Sequence, residues 1–492
     1  GFAGPSLPGA HGPQGGSWAP RSADAGRRQA ASCRRAAPAE LGEERSDAQL
    51  DAALSGLAAA SFPRPQERLQ RHRLLATIEA IAREALGADV QVFAFGGSAD
   101  GFGEGGDDLD AVLYVPMTAA RAANVALGGK RLAARCLREV AAACRERGLC
   151  IGNPRKPYGS AVLRLEERAR VQAEDRWRNY RLMACELRCQ ELTPLLSARL
   201  LRGYAELEAH VRPLAVAVRR WAKAAGVSGA THDGFISLFA WTLLLIYYLQ
   251  VCHGLPSLHA LAPGRPAGRG RWPSGPGQCD ALLADAAEVP RSRAAAGTRS
   301  CSLAALFRGF FSFFSRDFDW SNEVASVRLG RRSNLRDQHF AALREAAHGR
   351  SVSLNIENPV EVSRNLNQPL DNSRAGELRE AIREADARLA AGEGLAGLLG
   401  AEGEELPCME LAGGRGLEEG FLDLPDFVSD MRPHTCDVCG LRFDGQLLLM
   451  QHQVDRGHFN TDSTMQLERL RADDATAVAG AAERLRAALA GG

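Results

Sequence analysis

Apolar residues change their period several times along the chain, and each change marks a different kind of element. Over 69–86 they recur at helical spacing (Leu74, Leu75, Ile78, Ile81, Ala82, Ala85), which predicts an amphipathic helix. Residues 89–95 (DVQVFAF) alternate and are rich in β-branched and aromatic side chains, the mark of a strand. A glycine-rich turn leads to a second strand at 109–115, and 130–147 reads as a helix with an alanine-rich inner face. Strands are also expected at 161–165 and 180–187, and from Thr193 to Cys252 the pattern is almost wholly helical. Residues 235–252 carry no charge over eighteen positions, the lower limit for a membrane span. Ser237, Thr242 and Gln250 dilute the run and no arginine cluster flanks it closely, so it is expected to be a buried helix, without membrane association.

This order of elements predicts an α+β chain in several parts. Residues 1–60 are low in complexity and read as a disordered or targeting tail; 69–200 form an α+β domain; 201–370 are mainly helical. A Pro/Gly/Arg-rich stretch at 260–300 is expected to be a flexible surface insertion within the helical part. A helix and acidic linker at 371–430, a small Cys/His unit at 434–460 and a closing helix at 461–492 complete the chain.

Composition narrows the picture only a little. Sixty basic side chains stand against 59 acidic ones, and a net charge of +1 excludes attachment to nucleic acid by bulk charge. Only three of the basic residues are lysines (Lys130, Lys156, Lys223), a bias that fits GC-rich coding; arginine keeps the capacity to bind phosphate. Twelve scattered cysteines argue for a reducing compartment rather than a disulfide scaffold. Cytoplasm or nucleus is therefore expected; the first 38 residues, with five arginines and one acid, leave an organellar transit peptide as the alternative to plain disorder.

Chemistry concentrates at 95–113, FGGSADGFGEGGDDLDAVL. A strand ends in Gly96-Gly97-Ser98, and Asp108 and Asp110 flank Leu109 at the start of the next strand. Alternation puts both carboxylates on one strand face, about 7 Å apart, where they repel unless a cation relieves them. A divalent metal takes one or two carboxylates together with phosphate oxygens, and a Gly-Gly-Ser turn offers backbone amides to a phosphate. A solvated, glycine-rich hairpin is the bland alternative, and a lone Asp-x-Asp would not exclude it.

The stretch resembles the signature of the DNA polymerase β-like nucleotidyltransferases, and within them the non-canonical poly(A) polymerase and terminal uridylyltransferase branch. The resemblance runs over about 300 residues, from Leu69 to Gln368. It implies a palm-like mixed sheet, a poly(A)-polymerase-associated helical domain, and two-metal chemistry with Mg²⁺ or Mn²⁺. Asp108 and Asp110 would hold the metals, while Gly96, Gly97 and Ser98 would cradle a nucleoside triphosphate. The third acid of the family falls on Glu186, within Ala184-Cys185-Glu186-Leu187, one methylene longer than the family's usual aspartate. Two further departures are Gly97, where the family has serine, and Asp107, where it has serine before the DLD.

Residues 211–223 resemble the helix that meets the triphosphate, with Arg219 and Lys223 one turn apart on a shared face. Ser237-Leu238-Phe239 stands where the family has Ser-Ser-Tyr, so Ser237 and Phe239 are expected at the nucleotide and base, core packing being the alternative for Phe239. Residues 356–365 resemble the family's IEDPFE-x-S-x-N signature, which implies that the positions of Asn358 and Arg364 lie near the base edge and that Glu361 belongs to the nucleotide site. Arginine at 364, where uridylyltransferases often have histidine, leaves UTP and ATP undecided.

Cys436-x2-Cys439-x12-His452-x5-His458 has the ligand spacing of a structural C2H2 zinc site, with Phe443 and Leu449 at the positions of a ββα finger's small core. Its long final gap resembles the matrin/U1-type fingers associated with RNA. The expected protein is a monomeric, template-independent RNA 3′-terminal nucleotidyltransferase using UTP or ATP, its finger helping to hold RNA. The alternative is an inactive RNA-binding protein that keeps the fold.

Overall fold

A computed structural model describes residues 41–116, 129–151, 162–173, 176–229, 234–265, 273, 278–289, 301–346, 353–400, 417–456 and 458. The chain begins with α1 (Leu41–Ala60) and α2 (Pro65–Leu86). Pro65 opens α2 in its first turn, where its missing N–H costs nothing, and the Glu67 carboxylate accepts the Arg64 amide at 2.6 Å. Then come β1 (Gln91–Phe95), β2 (Leu109–Tyr114), α3 (Gly129–Glu146), β3 (Cys150–Ile151), and the long hairpin β4 (Leu163–Ala173) and β5 (Arg176–Cys189). The two short strands expected at 161–165 and 180–187 are thus the inner ends of this hairpin.

The five strands form one mixed sheet in the order β1-β2-β5-β4-β3, with β2 and β5 parallel and the other pairs antiparallel. One face, carrying Val92, Ala94, Leu109, Ala111, Leu113, Leu165, Cys185 and Leu187, packs on α2 and α3. Alternation turns the even-numbered positions of β2 to the opposite face.

The helical part runs through α4 (Thr193–Leu207), α5 (Val211–Ala224), α6 (Leu238–His253), α7 (Leu303–Ser312), α8 (Ala341–Ala346) and α9 (Asn372–Ala390), with the short strands β6 (Val324–Ala325) and β7 (Asn355–Ile356). The uncharged stretch forms α6, which is buried from Ala240 to Gln250 at the centre of the largest core. It is capped by the Ser237 hydroxyl, which accepts the Ala240 amide, and stopped by left-handed Gly254. No helix among the described residues is long and apolar enough to cross a membrane. The phenylalanines of 307–318 and Trp320 are core, packed edge to face around Trp221 and Trp241.

Three segments depart from the sequence expectation. Residues 41–60 are a helix, not a tail, because Leu50, Leu54 and Leu57 fall on one face and pack against α5 and α7; residues 1–40 lie outside the described ones. The ends of the 260–300 stretch are woven into the core. Asp280 is ion-paired with Arg265 and its amide bonds to the Val360 carbonyl at 2.8 Å, while Ala281 and Leu283 are buried. After α9 and α10 (Leu395–Leu398), the acidic linker returns through α11 (Leu417–Gly420) to the sheet domain. Phe421 and Leu422 are buried there, and the Leu422 amide bonds to the Ser98 carbonyl at 2.8 Å. The finger follows as β8 (Pro433–Thr435), β9 (Arg442–Asp444) and α12 (Gln446–Arg456); the expected helix at 461–492 lies outside the described residues.

Candidate active site and zinc centre

Register builds the carboxylate site. Asp110 pairs with Phe95 of β1 on one side and with Glu186 of β5 on the other, and Glu186 in turn pairs with Arg164 of β4. Lateral neighbours in a sheet point to the same face, so Asp110, Glu186 and Arg164 form one row across three strands. Asp108, two residues before Asp110, lies on that face at the strand's entrance. The parallel pairing of β2 and β5 brings the third acid to the first two across 76 residues of chain.

The row is under electrostatic load. Burial first, and the Glu186 carboxylate second, push the Asp110 pKa up from 3.8 to about 7, while Arg188 pulls it back. Arg164 donates to Asp108 Oδ2 at 2.9 Å and to Glu186 Oε1 at 3.2 Å, with Glu166 Oε1 3.5 Å from its Nε. Burial disfavours the charge of Arg164, but Asp108 and then Glu186 outweigh it and raise its pKa. Three converging acids, whose mutual repulsion Arg164 offsets only in part and Asp110 shows in its raised pKa, are a set of hard oxygen donors that suits a divalent cation.

The glycine turn is shaped by this site. Gly96 adopts φ +59°, and a Cβ there would lie 2.6 Å from Asp110 Oδ2, so only glycine fits. A Cβ at Gly97 would meet Gly103 Cα at 3.3 Å and Asp107 Oδ2 at 3.4 Å. The loop 99–107 therefore crowds the space that a serine at 97 would need. Ser98 is fully buried and its Oγ has no hydrogen-bond partner, which removes the expected hydroxyl from an open phosphate cradle.

That loop also engages the cations expected for the triphosphate. Arg219 is buried and donates to the Phe102 carbonyl, so its guanidinium does not line an open cleft. Glu104, itself buried, pairs with Arg220 and lies 3.6 Å from Lys223 Nζ. Two further arginines hold the loop by its carbonyls: Arg71 on Glu104 and Asp107, and Arg212 on Gly101 and Gly103. Burial lowers the Arg212 pKa to about 10. Sequence reading missed Arg71, Arg164, Arg212 and Glu104; the single available signal was Arg212 inside a recognised motif, and none existed for partners set by register.

The remaining candidates have local partners of their own. Ser237 serves as the N-cap of α6, and Phe239 is half-buried against the helical core, the packing alternative. Glu361 and Arg364 pair at 2.9 Å in the turn after β7, and Thr193 at the start of α4 donates to Glu361 at 3.3 Å.

In the finger, Cys436, Cys439, His452 and His458 bring their ligand atoms within 4.8 Å of one another. Sγ of Cys439 is 3.3 Å from His452 Nε2, which is 3.2 Å from His458 Nδ1; Cys436 Sγ is 3.8 Å from the latter. A tetrahedron with ordinary Zn–S and Zn–N bonds has edges of about 3.3–3.8 Å, so the four atoms fit zinc. Burial, then His458, lower the His452 pKa, favouring the neutral imidazole that a metal takes. Phe443 stacks on His452 at 4.6 Å and Leu449 is buried, as the spacing implied.

One face of the finger's helix is docked on the body of the protein, while Asp455 and Arg456 at its end and the loop 437–442 are exposed. Leu447, Met450 and Val454 pack with Leu192, with Leu195 and Leu196 of α4, and with Ala281 and Val360. Gln451 accepts the Leu192 amide at 2.7 Å and donates to the Gln190 carbonyl at 3.2 Å. A helix with apolar residues on both sides is more stable docked than exposed.

Comparison with known proteins follows the same lines. Residues 302–364 match the Cid1 family poly A polymerase description. The mitochondrial poly(A) RNA polymerase of Drosophila melanogaster is 27% identical over 356 residues, 69% of this chain and 54% of that protein. The poly(A) RNA polymerase GLD2-A of Xenopus laevis is 30% identical over 150 residues, 30% of this chain and 27% of that protein. The chain thus spans about half or less of the length of these relatives. Among solved structures, a cytoplasmic RNA terminal U-transferase superposes with a TM-score of 0.54 at 17% identity, covering 74% of this chain and 96% of its own. The Cid1 poly(U) polymerase gives 0.52 at 18%, covering 68% and 92%. The chain is thus similar to the poly(A) RNA polymerases in part of its sequence, through residues 302–364 and its relatives, and it shares its fold with the Cid1 poly(U) polymerase.

Proposed function

We propose that the protein is a template-independent RNA 3′-terminal nucleotidyltransferase that transfers UMP or AMP from UTP or ATP. The observation that carries this reading is the row of Asp110 and Glu186, with Asp108 on the same face, assembled by the parallel pairing of β2 and β5. Asp108, Asp110 and Glu186 would hold Mg²⁺ or Mn²⁺, which when bound neutralises triphosphate charge and favours the ionised 3′-hydroxyl. The 3′-oxygen forms a bond to the α-phosphorus while the bond to pyrophosphate breaks. Glu186, one methylene longer than aspartate, has the reach to accept the hydroxyl proton. The 96–98 turn abuts Asp110 at Gly96, and its backbone amides would serve as phosphate donors in place of the buried Ser98 Oγ. Lys223 is half-exposed at the edge of α5 and can exchange Glu104 for a phosphate. Zinc in the finger would be structural.

The compartment proposed is the cytoplasm or nucleus, with an organelle as the alternative that the similarity to a mitochondrial poly(A) RNA polymerase supports. Incubation with labelled RNA, each of the four nucleoside triphosphates and Mg²⁺ or Mn²⁺ tests the activity. The absence of 3′ extension in every combination overturns it, and the preferred triphosphate separates uridylylation from adenylylation. A second reading, an RNA-binding protein without catalysis, draws on the arginine already engaged with Asp108 and Glu186. Asp110→Ala separates the two: extension is abolished under the first, and RNA binding is unchanged under both.

A further inference from the structure

Arg164 stands among the acids assigned to metal, and nothing in the reaction as described uses it. Its position is built in. Antiparallel register places it beside Glu186, and residue alternation puts Glu166 on the same face of β4. The guanidinium is largely buried, 18% exposed, and its three nitrogens face three different carboxylates: Asp108 at 2.9 Å, Glu186 at 3.2 Å and Glu166 at 3.5 Å. Two of those acids belong to the metal set and the third does not.

We propose that Arg164 is an internal counter-ion of the catalytic carboxylates, and that releasing Asp108 to lean on Glu166 is the step that admits the divalent cation. A guanidinium cannot deprotonate in a protein, so the only way to clear its charge from the site is to move it. Glu166 supplies the destination, already within 3.5 Å. The arrangement makes Arg164 a positioning residue that sets metal affinity. It holds the acids together without a metal and competes with the metal that replaces it. Glu186 suits this role, because its extra methylene lets the carboxylate reach across to the neighbouring strand's arginine. The inference rests on the reading that Asp108, Asp110 and Glu186 hold the metal.

Mn²⁺ binding to the zinc-loaded full chain, without nucleotide or RNA and followed by electron paramagnetic resonance, tests it. Arg164→Met removes the competing charge and should tighten Mn²⁺ binding about tenfold or more, given the strength of like-charge repulsion at contact distance. Glu166→Gln removes the destination and should weaken binding several-fold, with Arg164→Lys falling between wild type and Arg164→Met. Unchanged or weaker Mn²⁺ binding in Arg164→Met overturns the proposal. Should that variant fail to fold, unchanged or tighter binding in Glu166→Gln overturns it instead. Asp110→Asn is the control: if it binds Mn²⁺ as wild type does, the metal reading itself fails, independently of Arg164.

Discussion

Replacing Asp110 with asparagine should stabilise the metal-free protein while abolishing nucleotide transfer. A carboxylate whose pKa is lifted from 3.8 to about 7 by burial and by Glu186 costs the fold free energy whenever it is ionised. At about 1.4 kcal/mol per pH unit the full shift corresponds to about 4 kcal/mol, and water reaching a half-buried side chain reduces this to about 1–3 kcal/mol. The sign follows from proton counts. Between pH 4 and 7 the folded state keeps a proton that the unfolded chain has released, so wild-type stability falls as pH rises and the loss is complete above about 7. Asparagine carries no charge and is indifferent to this window. Calorimetry in Mg²⁺-free, zinc-loaded buffer should show the variant gaining on wild type from pH 5 to 8, by about 2–4 °C for each kcal/mol. Adding Mg²⁺ should stabilise wild type alone and narrow the gap. A variant no more stable than wild type at pH 8, or a difference that ignores pH, would refute the reasoning.

Three other perturbations probe the framework around the site. Cys439→Ser should lose zinc by elemental analysis, lower the melting temperature, and speed hydrogen exchange at 187–196, where α12 is docked; exchange confined to the finger would contradict the docking. Gly96→Ala should cost about 1–3 kcal/mol by denaturant unfolding and weaken metal binding, because its Cβ would lie 2.6 Å from Asp110 Oδ2 at a φ of +59°. Arg212→Met should destabilise the protein by about 2–4 kcal/mol by the same measurement, since it leaves the carbonyls of Gly101, Gly103 and Ala58 without a donor; a neutral effect would mean that the loop is held by Arg71 and Arg219.

Local chemistry was legible wherever a few neighbouring residues carry it. The two strands joined by a glycine turn, the pair of aspartates on one face, the cysteine and histidine spacing and the buried uncharged helix depend on contacts within about twenty residues. The tail was misread because Leu50, Leu54 and Leu57 are a few large apolar residues set among alanines and polar residues. Their weight comes from α5 and α7, which supply the other half of the interface. The acidic linker was read as no more than a connection, yet Phe421 and Leu422 at its end are buried, and the Leu422 amide bonds to Ser98 of the sheet domain.

The sequence by itself determined which residues could do chemistry: Asp108, Asp110 and the two cysteines and two histidines of the finger were readable from type and spacing, and Glu186 from the family resemblance. Tertiary structure alone decided their charge environment. Arg164 meets Glu186 through a strand register no local pattern encodes, Glu104 occupies Lys223 and Arg220 across more than a hundred residues, and the finger's helix turns inward onto Leu192. Alternation and ligand spacing are properties of the local backbone. Ion pairing and burial are sums over whatever the fold brings near, and they settle which charged groups stand open to a ligand and which are already taken.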